Sequence, residues 1–223
     1  MAAANGQSTD TITPLRPTPD RLRASPRLFA NPLLDKLSRV HWSTPLIIYA
    51  PVAALLGWLS FKMVALPLVV FAALCGYVAW TLLEYFGHRY VFHADLPGKW
   101  GARVHFLIHG VHHDHPNDPL RLVMPPLMST PILAIAFPVI LAIDGGRPLA
   151  YPTMLGFLIG YLLYDMLHYC VHHMEFKSRL GRSLRRRHML HHFQDAERGF
   201  GISAPWWDHV FGTANAPLKE ERA

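Results

Sequence analysis

Cysteine and charge are both scarce in this chain of 223 residues. It has only two cysteines, Cys75 and Cys170, and charged residues make up 16% of it. Because Cys75 lies inside one apolar run and Cys170 at the end of another, we expect no structural disulfide. Neither cysteine fits a Cys-based zinc motif. The shortage of charge, with 51% hydrophobic residues, argues against an ordinary soluble domain of this size.

The apolar residues are clustered into four long blocks, at 44–61, 64–86, 127–143 and 149–170. Each block approaches or exceeds the roughly 20 residues that a helix needs to cross a bilayer. Glu84 and Asp165 are the exceptions to their lack of charge, and both lie near a block end beside histidines. The pattern predicts an all-α integral membrane protein with four transmembrane helices in two hairpins, which turn at 62–63 and 144–148.

The positive charges fall mainly on one side of this predicted topology. Of 21 Lys and Arg residues, two (Lys62 and Arg147) fall on the side of the hairpin turns, which leaves 21 − 2 = 19 on the other. Such an excess is typical of the cytosolic side of a membrane protein. We therefore expect a multi-pass protein with both termini and the histidines in the cytosol, and we do not interpret the net charge of +6 as a nucleic-acid interface.

The regions that flank the blocks differ in composition. Residues 1–25 are rich in Pro, Ser, Thr and Ala and lack the apolar core of a signal peptide, which predicts a disordered tail. Residues 26–43 mix Arg, Lys and Leu and could form an interfacial helix. We assign 44–215 to a membrane-embedded domain with a cytosolic, histidine-rich cap, and 216–223 to a C-terminal tail. Residues 94–103 are expected to form a turn.

Histidines recur in three clusters, each directly after an apolar block or just beyond one. On a helix, residues three or four apart share a face, and most of the clustered histidines have this spacing. His88 and His93 are five apart and would diverge by about 140° on a straight α-helix, so they need a helix end or bend between them. The candidates are His88, His93, His109, His112, His113, His168, His172, His188, His191 and His192.

Ten imidazoles exceed the capacity of one metal ion, because zinc takes four ligands and octahedral iron takes six. They therefore predict two metal ions, and imidazole suits both iron and zinc. Glu84 and Asp165 are expected in the second shell, where carboxylates orient ligand rings. We assign His105 and His173 a structural or outer-shell role. Isolated histidines (His41, His115 and His209) are interpreted as structural, and Asp118 with Arg121 as an ordinary i, i+3 ion pair.

Several motifs then resemble the fatty acid 2-hydroxylases of the fatty acid hydroxylase and sterol desaturase superfamily. They are HRYVFH, HFLIHGVHH followed by PNDPLRLVMPP, YDMLHYCVHH, HMLHHF, and GFGIS followed by WDHVFGT, and they span about 82–213. The resemblance implies four transmembrane helices under a cytosolic cap, and a dinuclear iron or zinc site formed by the ten histidines. It also implies O2-dependent insertion of a hydroxyl group at carbon 2 of a long acyl chain, in a free fatty acid or a sphingolipid-type lipid.

The sequence departs from the eukaryotic members of that family, which carry a fused cytochrome b5 domain. The residues before the first block are too few and lack the haem-ligand histidines, so we expect a separate electron-transfer protein, cytochrome b5-like or ferredoxin-like. The chain resembles a bacterial-type relative, which implies the bacterial cytoplasmic membrane.

Within the cap, we expect Tyr169, Phe200 and Trp206 to hold the lipid substrate. Two alternatives stay open at this point. One is a sterol or carotenoid hydroxylase or desaturase of the same superfamily. The other is a structural membrane protein that binds metal without consuming O2.

Overall fold

The computed structural model describes residues 18–215, which contain helices and no strand. Ten helices are labelled in chain order: α1 (Pro19–Arg23), α2 (Pro32–Leu37), α3 (Thr44–Met63), α4 (Leu66–Gly87), α5 (Gly98–His105), α6 (Val111–Asp114), α7 (Pro126–Ile143), α8 (Ala150–His173), α9 (Arg179–Phe193) and α10 (Trp206–Val210). Two π-helical segments, His88–Phe92 and Phe106–Gly110, continue α4 and α5.

Four of these helices are long and apolar enough to cross a membrane. They are α3, α4 with its π-helical extension, α7 and α8, with 20, 27, 18 and 24 residues. Pairs α3–α4 and α7–α8 are joined by short turns, at 64–65 and 144–149. The prediction of an all-α membrane protein with four spanning helices in two hairpins is therefore confirmed, and the histidine-bearing segments form a cap at one end.

Glycine allows α4 and α8 to pack closely, and this pair forms the centre of the membrane part. A Cβ at Gly76 would clash with the carbonyl of Thr153, and a Cβ at Gly156 would clash with the carbonyl of Ala73. At Gly160 a Cβ would lie 2.7 Å from the side chain of Trp80. Small residues at such crossings let helix backbones approach each other within a membrane. The approach fixes the end of α4, with His88, relative to the end of α8, with His168 and His172.

Aromatic residues fill the space above this crossing. Trp80 packs edge-on against Phe157 and Tyr161, with ring centroids 5.3 and 5.2 Å apart. Tyr49 of α3 packs against Tyr161 and exchanges hydrogen bonds with hydroxyl groups at the start of α7, including Ser129 at 2.8 Å. These contacts link both hairpins into one core below the cap.

Some boundaries differ from those expected. The turn expected at 94–103 is shorter than expected, since α5 already begins at Gly98, which has a positive φ of 76°. Of the tail expected at 1–25, residues 1–17 lie outside the described residues, and α1 occupies part of the remainder. Within 26–43 only α2 is helical, and its leucines are exposed. The tail expected at 216–223 also lies outside the described residues.

Candidate metal centre

The first π-helical segment solves the spacing problem of His88 and His93. The backbone N–H of His93 donates to the carbonyl of His88 at 3.1 Å, which is an i to i+5 hydrogen bond. A π-helical turn contains more residues than an α-helical turn, so residues five apart come onto one face. The imidazoles of His88 and His93 consequently lie together, with ring centroids 5.0 Å apart. This is the bend that the sequence required.

All ten predicted histidines come together in two groups of five, with the ring nitrogens of each group within 4.8 Å of one another. The first group is His88, His93, His109, His113 and His191. The second group is His112, His168, His172, His188 and His192. The groups adjoin, since the rings of His113 and His192 stack with centroids 4.3 Å apart. A set of five nitrogens at this spacing could hold a metal ion.

The nitrogen separations within each group fit a coordination shell better than a hydrogen-bond network. Nε2 of His109 lies 3.1 Å from Nε2 of both His88 and His113. Nε2 of His188 lies 2.8 Å and 3.1 Å from Nε2 of His172 and His192. Ligand nitrogens about 2.1 Å from a common ion, at right angles, are about 3.0 Å apart. Each group therefore suits a metal ion at its centre, bound through Nε2.

The imidazoles outside the spanning helices are held in the neutral form, which is the form that binds metal. Burial, reinforced by the neighbouring His191, lowers the pKa of His112 to about 3 and that of His113 to about 2. Burial also lowers the pKa of His191 to about 4, and places those of His188 and His192 well below the usual range. At neutral pH each of these rings therefore has a lone pair available for a metal.

Helical geometry explains why neighbouring histidines serve different groups. His109, His112 and His113 have the spacing of a shared helix face, which alone would allow all three to face one point. On a helix, residues four apart are offset by about 40° to one side and residues three apart by about 60° to the other. The structure accordingly pairs His109 with His113 in the first group and turns His112 into the second. In α9, His188 pairs with His192, and His191 joins the first group.

Backbone carbonyls, rather than the expected carboxylates, hold two of the rings. Nδ1 of His88 bonds the carbonyl of Phe200 at 2.7 Å, and Nδ1 of His191 bonds the carbonyl of Arg198 at 2.8 Å. These bonds orient Nε2 of both rings toward the first group. Sequence reasoning missed both partners because every residue carries a carbonyl, so residue type gives no signal for them.

The carboxylates expected in the second shell have other partners. Glu84 accepts hydrogen bonds from the backbone N–H of Ser203, at 2.7 Å, and from its hydroxyl. Asp165 accepts from the N–H of Met124 at 2.9 Å and from the hydroxyl of Tyr161 at 3.1 Å. Each carboxylate therefore anchors a loop of the cap to a spanning helix. They support the position of the ligand helices without contacting a ring.

A third buried carboxylate shapes the loop that contains the carbonyl of Phe200. Asp208 accepts from the N–H groups of Phe200 and Gly201, both at 2.9 Å, and from the hydroxyl of Thr213 at 2.8 Å. Burial raises the pKa of Asp208, and these hydrogen bonds oppose the rise. Residue type alone does not single out Asp208, although it lies within the motif WDHVFGT.

The residues predicted to bind substrate or to lie just outside the metal ligands differ in their positions relative to the two groups. The Phe200 ring packs edge-on against the rings of His88 and His93, with both centroids 5.6 Å away. Tyr169 stacks on the exposed His173 with centroids 4.4 Å apart. Trp206 begins α10 and is half-exposed, and His105 ends α5 next to Gly110. An interaction of these residues with substrate or metal stays a prediction.

Two neighbouring cavities lie between the spanning helices and the histidines. The larger, of about 260 Å³, is almost wholly apolar. It is lined by residues of α4 such as Gly87, by Val91 and His88 of the π-helical segment, and by Ile132 of α7. The smaller, of about 50 Å³, touches His109 of the first group and His112 and His168 of the second. Both share Phe92, Met124 and Tyr164. Tyr169, Phe200 and Trp206 line neither of them.

A separate apolar cavity of about 220 Å³ lies on the other side of the small cavity, under α2. The two share Arg121, whose guanidinium pairs with Asp35 at 3.2 Å and donates to the carbonyl of Pro26. The ion pair expected between Arg121 and Asp118 is therefore wrong. Asp118 instead accepts from the N–H of Leu120 at 3.0 Å and caps its own turn.

Comparison with known proteins supports the same chemistry. The sequence model of the fatty acid hydroxylase family matches residues 73–213. A dihydroceramide fatty acyl 2-hydroxylase of Arabidopsis thaliana is 37% identical over 212 residues, which cover 91% of this chain and 87% of the relative. The ceramide very long chain fatty acid hydroxylase of Saccharomyces cerevisiae is 34% identical over 206 residues, 89% of this chain and 52% of the relative.

The human fatty acid 2-hydroxylase is 32% identical over 209 residues, covering 84% of this chain and 56% of the relative. Among solved structures, full-length scs7p, of which only the hydroxylase domain is visible, superposes with a TM-score of 0.80 and 34% identity. That match covers 86% of this chain and 72% of the other. The helical fold, the paired histidine groups and these relatives together show that this chain belongs to the fatty acid hydroxylase family.

Proposed function

We propose that this protein inserts one oxygen atom from O2 at carbon 2 of a long acyl chain in a membrane lipid. One observation carries the proposal: two groups of five imidazoles meet at the inner end of an apolar cavity that lies beside the spanning helices. The balanced reaction converts a CH2 group, O2, two electrons and two protons into a CHOH group and water. Two metal ions, iron or zinc, would occupy the site. The reduction of O2 requires a redox-active ion such as iron, because zinc does not change its oxidation state.

The ten histidines would hold these ions, five to each, through Nε2. The carbonyls of Phe200 and Arg198 would keep two of the ligand rings in place, and the Phe200 ring would shield the first group from water. Phe92, Met124 and Tyr164, which line both cavities, would hold the acyl chain so that carbon 2 faces both groups. Their role is positioning, which is the main contribution of the protein chain to such a reaction.

The acyl chain would enter from the bilayer along α4. Leu83 of α4 and Val91 of the π-helical segment line the larger cavity and are 42% and 55% exposed. Gly87, which has no side chain, lines the same cavity next to His88. A lipid tail could therefore pass from hydrocarbon to the histidines without crossing water.

We further propose that the substrate is an amide-linked, ceramide-type lipid rather than a free fatty acid. A free acid needs a cation for its carboxylate, whereas Arg121 is already paired with Asp35. The apolar cavity under α2 offers space for a second chain beyond the amide. Ceramide-type lipids are also named for the relatives from Arabidopsis thaliana and Saccharomyces cerevisiae.

The experiment is lipid mass spectrometry on cells that express the protein under air or 18O2, with His112→Ala as the inactive variant. We expect one 18O atom at carbon 2 of amide-linked acyl chains, and none with His112→Ala at equal expression. The exposed His41 offers a matched control, since His41→Ala removes an imidazole outside both groups and should leave the product unchanged. Product from His112→Ala would contradict the proposal.

A second experiment distinguishes the two substrate classes. Membranes of these cells are supplied with either a purified ceramide-type lipid or a free fatty acid. Label that enters only the free acid would refute the amide-linked substrate and keep the hydroxylase. Loss of two hydrogens without gain of oxygen would identify a desaturase. Full metal content without O2 consumption, under a chemical reductant, would identify a structural metal-binding protein.

A further inference from the structure

A further opening reaches the second histidine group, and its lining shares no residue with the three cavities described above. It is a wide cleft of about 730 Å³ beyond the end of α8, between α1, α9 and the segment around Asn117. His172 of the second group lies in its wall, together with His173 at the end of α8. Neither apolar cavity described above includes His172. The cleft is therefore an independent route to the second group.

The lining of this cleft is basic and partly apolar. Its charged residues are Arg23 of α1 and Arg185 of α9, and no carboxylate lines it. Arg185 is held by a hydrogen bond from its Nε to the carbonyl of Val171 at 3.1 Å. Met189 and Phe193 follow Arg185 at intervals of four residues, so they lie on the same face of α9. Phe193 is 51% exposed, which is unusual for an aromatic residue beside a polar cleft.

These features match what a transient electron-transfer partner needs. An exposed aromatic and aliphatic surface with a basic rim suits a carrier protein whose cofactor edge is surrounded by carboxylates. Electron-transfer complexes use small interfaces and rely on charge for a fast encounter. A carrier seated in the cleft would contact His172 directly, so a single imidazole would separate it from the second group.

We propose that this cleft is the docking site of an acidic one-electron carrier protein, which delivers electrons to the second histidine group through His172. The inference rests on the proposed function, because two electrons from outside the lipid are needed to reduce one oxygen atom of O2 to water. Each carrier gives up one electron, so two successive dockings complete one turnover. The lipid and the carrier thus approach the paired groups from different sides.

The primary test measures binding rather than activity. The oxidised soluble domain of a cytochrome b5 and a plant-type ferredoxin serve as probes, titrated against the detergent-solubilised full chain at several NaCl concentrations. We expect binding of at least one probe that weakens as salt rises. Arg23→Glu should raise its Kd about tenfold, and Arg23→Glu with Arg185→Gln should raise it further.

Lys99→Glu is the matched control, because it makes the same charge change at an exposed position of α5 that does not line the cleft. It should leave the Kd nearly unchanged. Equal weakening by Lys99→Glu and Arg23→Glu would mean that only net charge matters and would overturn the proposal. The proposal would also be overturned if neither probe bound to the wild-type protein. The same holds if Arg23→Glu lost binding to anionic lipid vesicles but kept its binding to the carrier.

A second readout separates this inference from the proposed function. The iron-loaded protein is reduced in a stopped-flow instrument, once by the reduced carrier and once by dithionite. The ratio of the carrier rate to the dithionite rate should fall about tenfold in Arg23→Glu. If lipid is hydroxylated with dithionite but this ratio is unaffected, the docking site is refuted and the hydroxylase stands. If no lipid is hydroxylated by either route, the proposed function itself fails.

Discussion

Histidines that are adjacent in sequence face different groups in this protein. His112 lies in the second group and His113 in the first, while His191 lies in the first and His192 in the second. Residues four apart, such as His188 and His192, share a group instead. The two groups are therefore interleaved along the chain, so the effect of removing two ligands should depend on which two are removed.

Paired substitutions test this arrangement through the removal of metal by a chelator. In His188→Ala/His192→Ala the second group loses two ligands, so we expect about one ion per chain to leave at low chelator concentration. The other ion should resist the chelator as in the wild type. Metal content is measured by inductively coupled plasma mass spectrometry after each chelator step.

In His191→Ala/His192→Ala each group loses one ligand, although the two positions are neighbours. Both ions should then leave together, at chelator concentrations roughly tenfold or more below those needed for the wild type. His41→Ala serves as the unchanged control. If metal content fell in the same two steps with rising chelator concentration in both double variants, the division into two groups would be wrong.

At the scale of helices, the sequence determined the elements well and their contacts only in part. The four spans follow from apolar length, which is a local property, and the bend between His88 and His93 follows from their spacing. The π-helical form of that bend does not follow from the sequence. Helical spacing accounts for the division within each cluster, but which clusters meet depends on tertiary packing, since both groups combine residues from distant parts of the chain. Glu84 and Asp165 are expected from the sequence to orient ligand rings, whereas their hydrogen-bond partners Ser203 and Met124 come from distant loops.

The crossing of α4 and α8 gives a stability prediction at this scale. Gly76→Ala places a methyl group against the carbonyl of Thr153, so the helices must separate. We expect a loss of about 1–3 kcal/mol, measured as a lower Tm in detergent. Gly57→Ala in α3 is the matched control, because its nearest neighbour would be Leu155 at an ordinary 3.8 Å. Equal Tm values for Gly76→Ala and the wild type would contradict this packing.

The α4 wall of the larger cavity gives a second prediction. Gly87 lines that cavity, and a Cβ there would meet no heavy atom within 4 Å. Gly87→Leu should therefore fold normally but occupy space needed by the acyl chain. We expect turnover of the lipid to fall about tenfold or more, with Tm and metal content unchanged.

Gly87→Ala, which adds a single methyl group, should have an intermediate effect on the same assay. Turnover is measured as 2-hydroxylated lipid by mass spectrometry. Unchanged turnover in Gly87→Leu would show that the acyl chain reaches the histidines by another path.

For the whole molecule, the distribution of charge predicts the orientation in the membrane. Lys62 lies in the last turn of α3 and Arg147 lies in the turn after α7, whereas the other 19 of 21 Lys and Arg residues lie on the side of the cap or in the segments before α3 and after α8. We expect the cap to face the cytosol. Alkaline phosphatase joined after the C-terminus should be inactive in bacterial cells, and the same enzyme inserted at Gly145 should be active. The reverse pattern would place the histidines outside the cell.

The interleaving of the groups also bears on how the protein is made. Both groups take residues from α9, near the end of the described chain: His191 for the first, and His188 and His192 for the second. A nascent chain that has inserted all four spans already displays seven of the ten histidines, yet it completes neither group. Since chains fold from the N-terminus as they are synthesised, capture of the two ions becomes one of the last events of biogenesis. A translation product that stops before α9 would reach the membrane without acquiring either metal ion in its full shell.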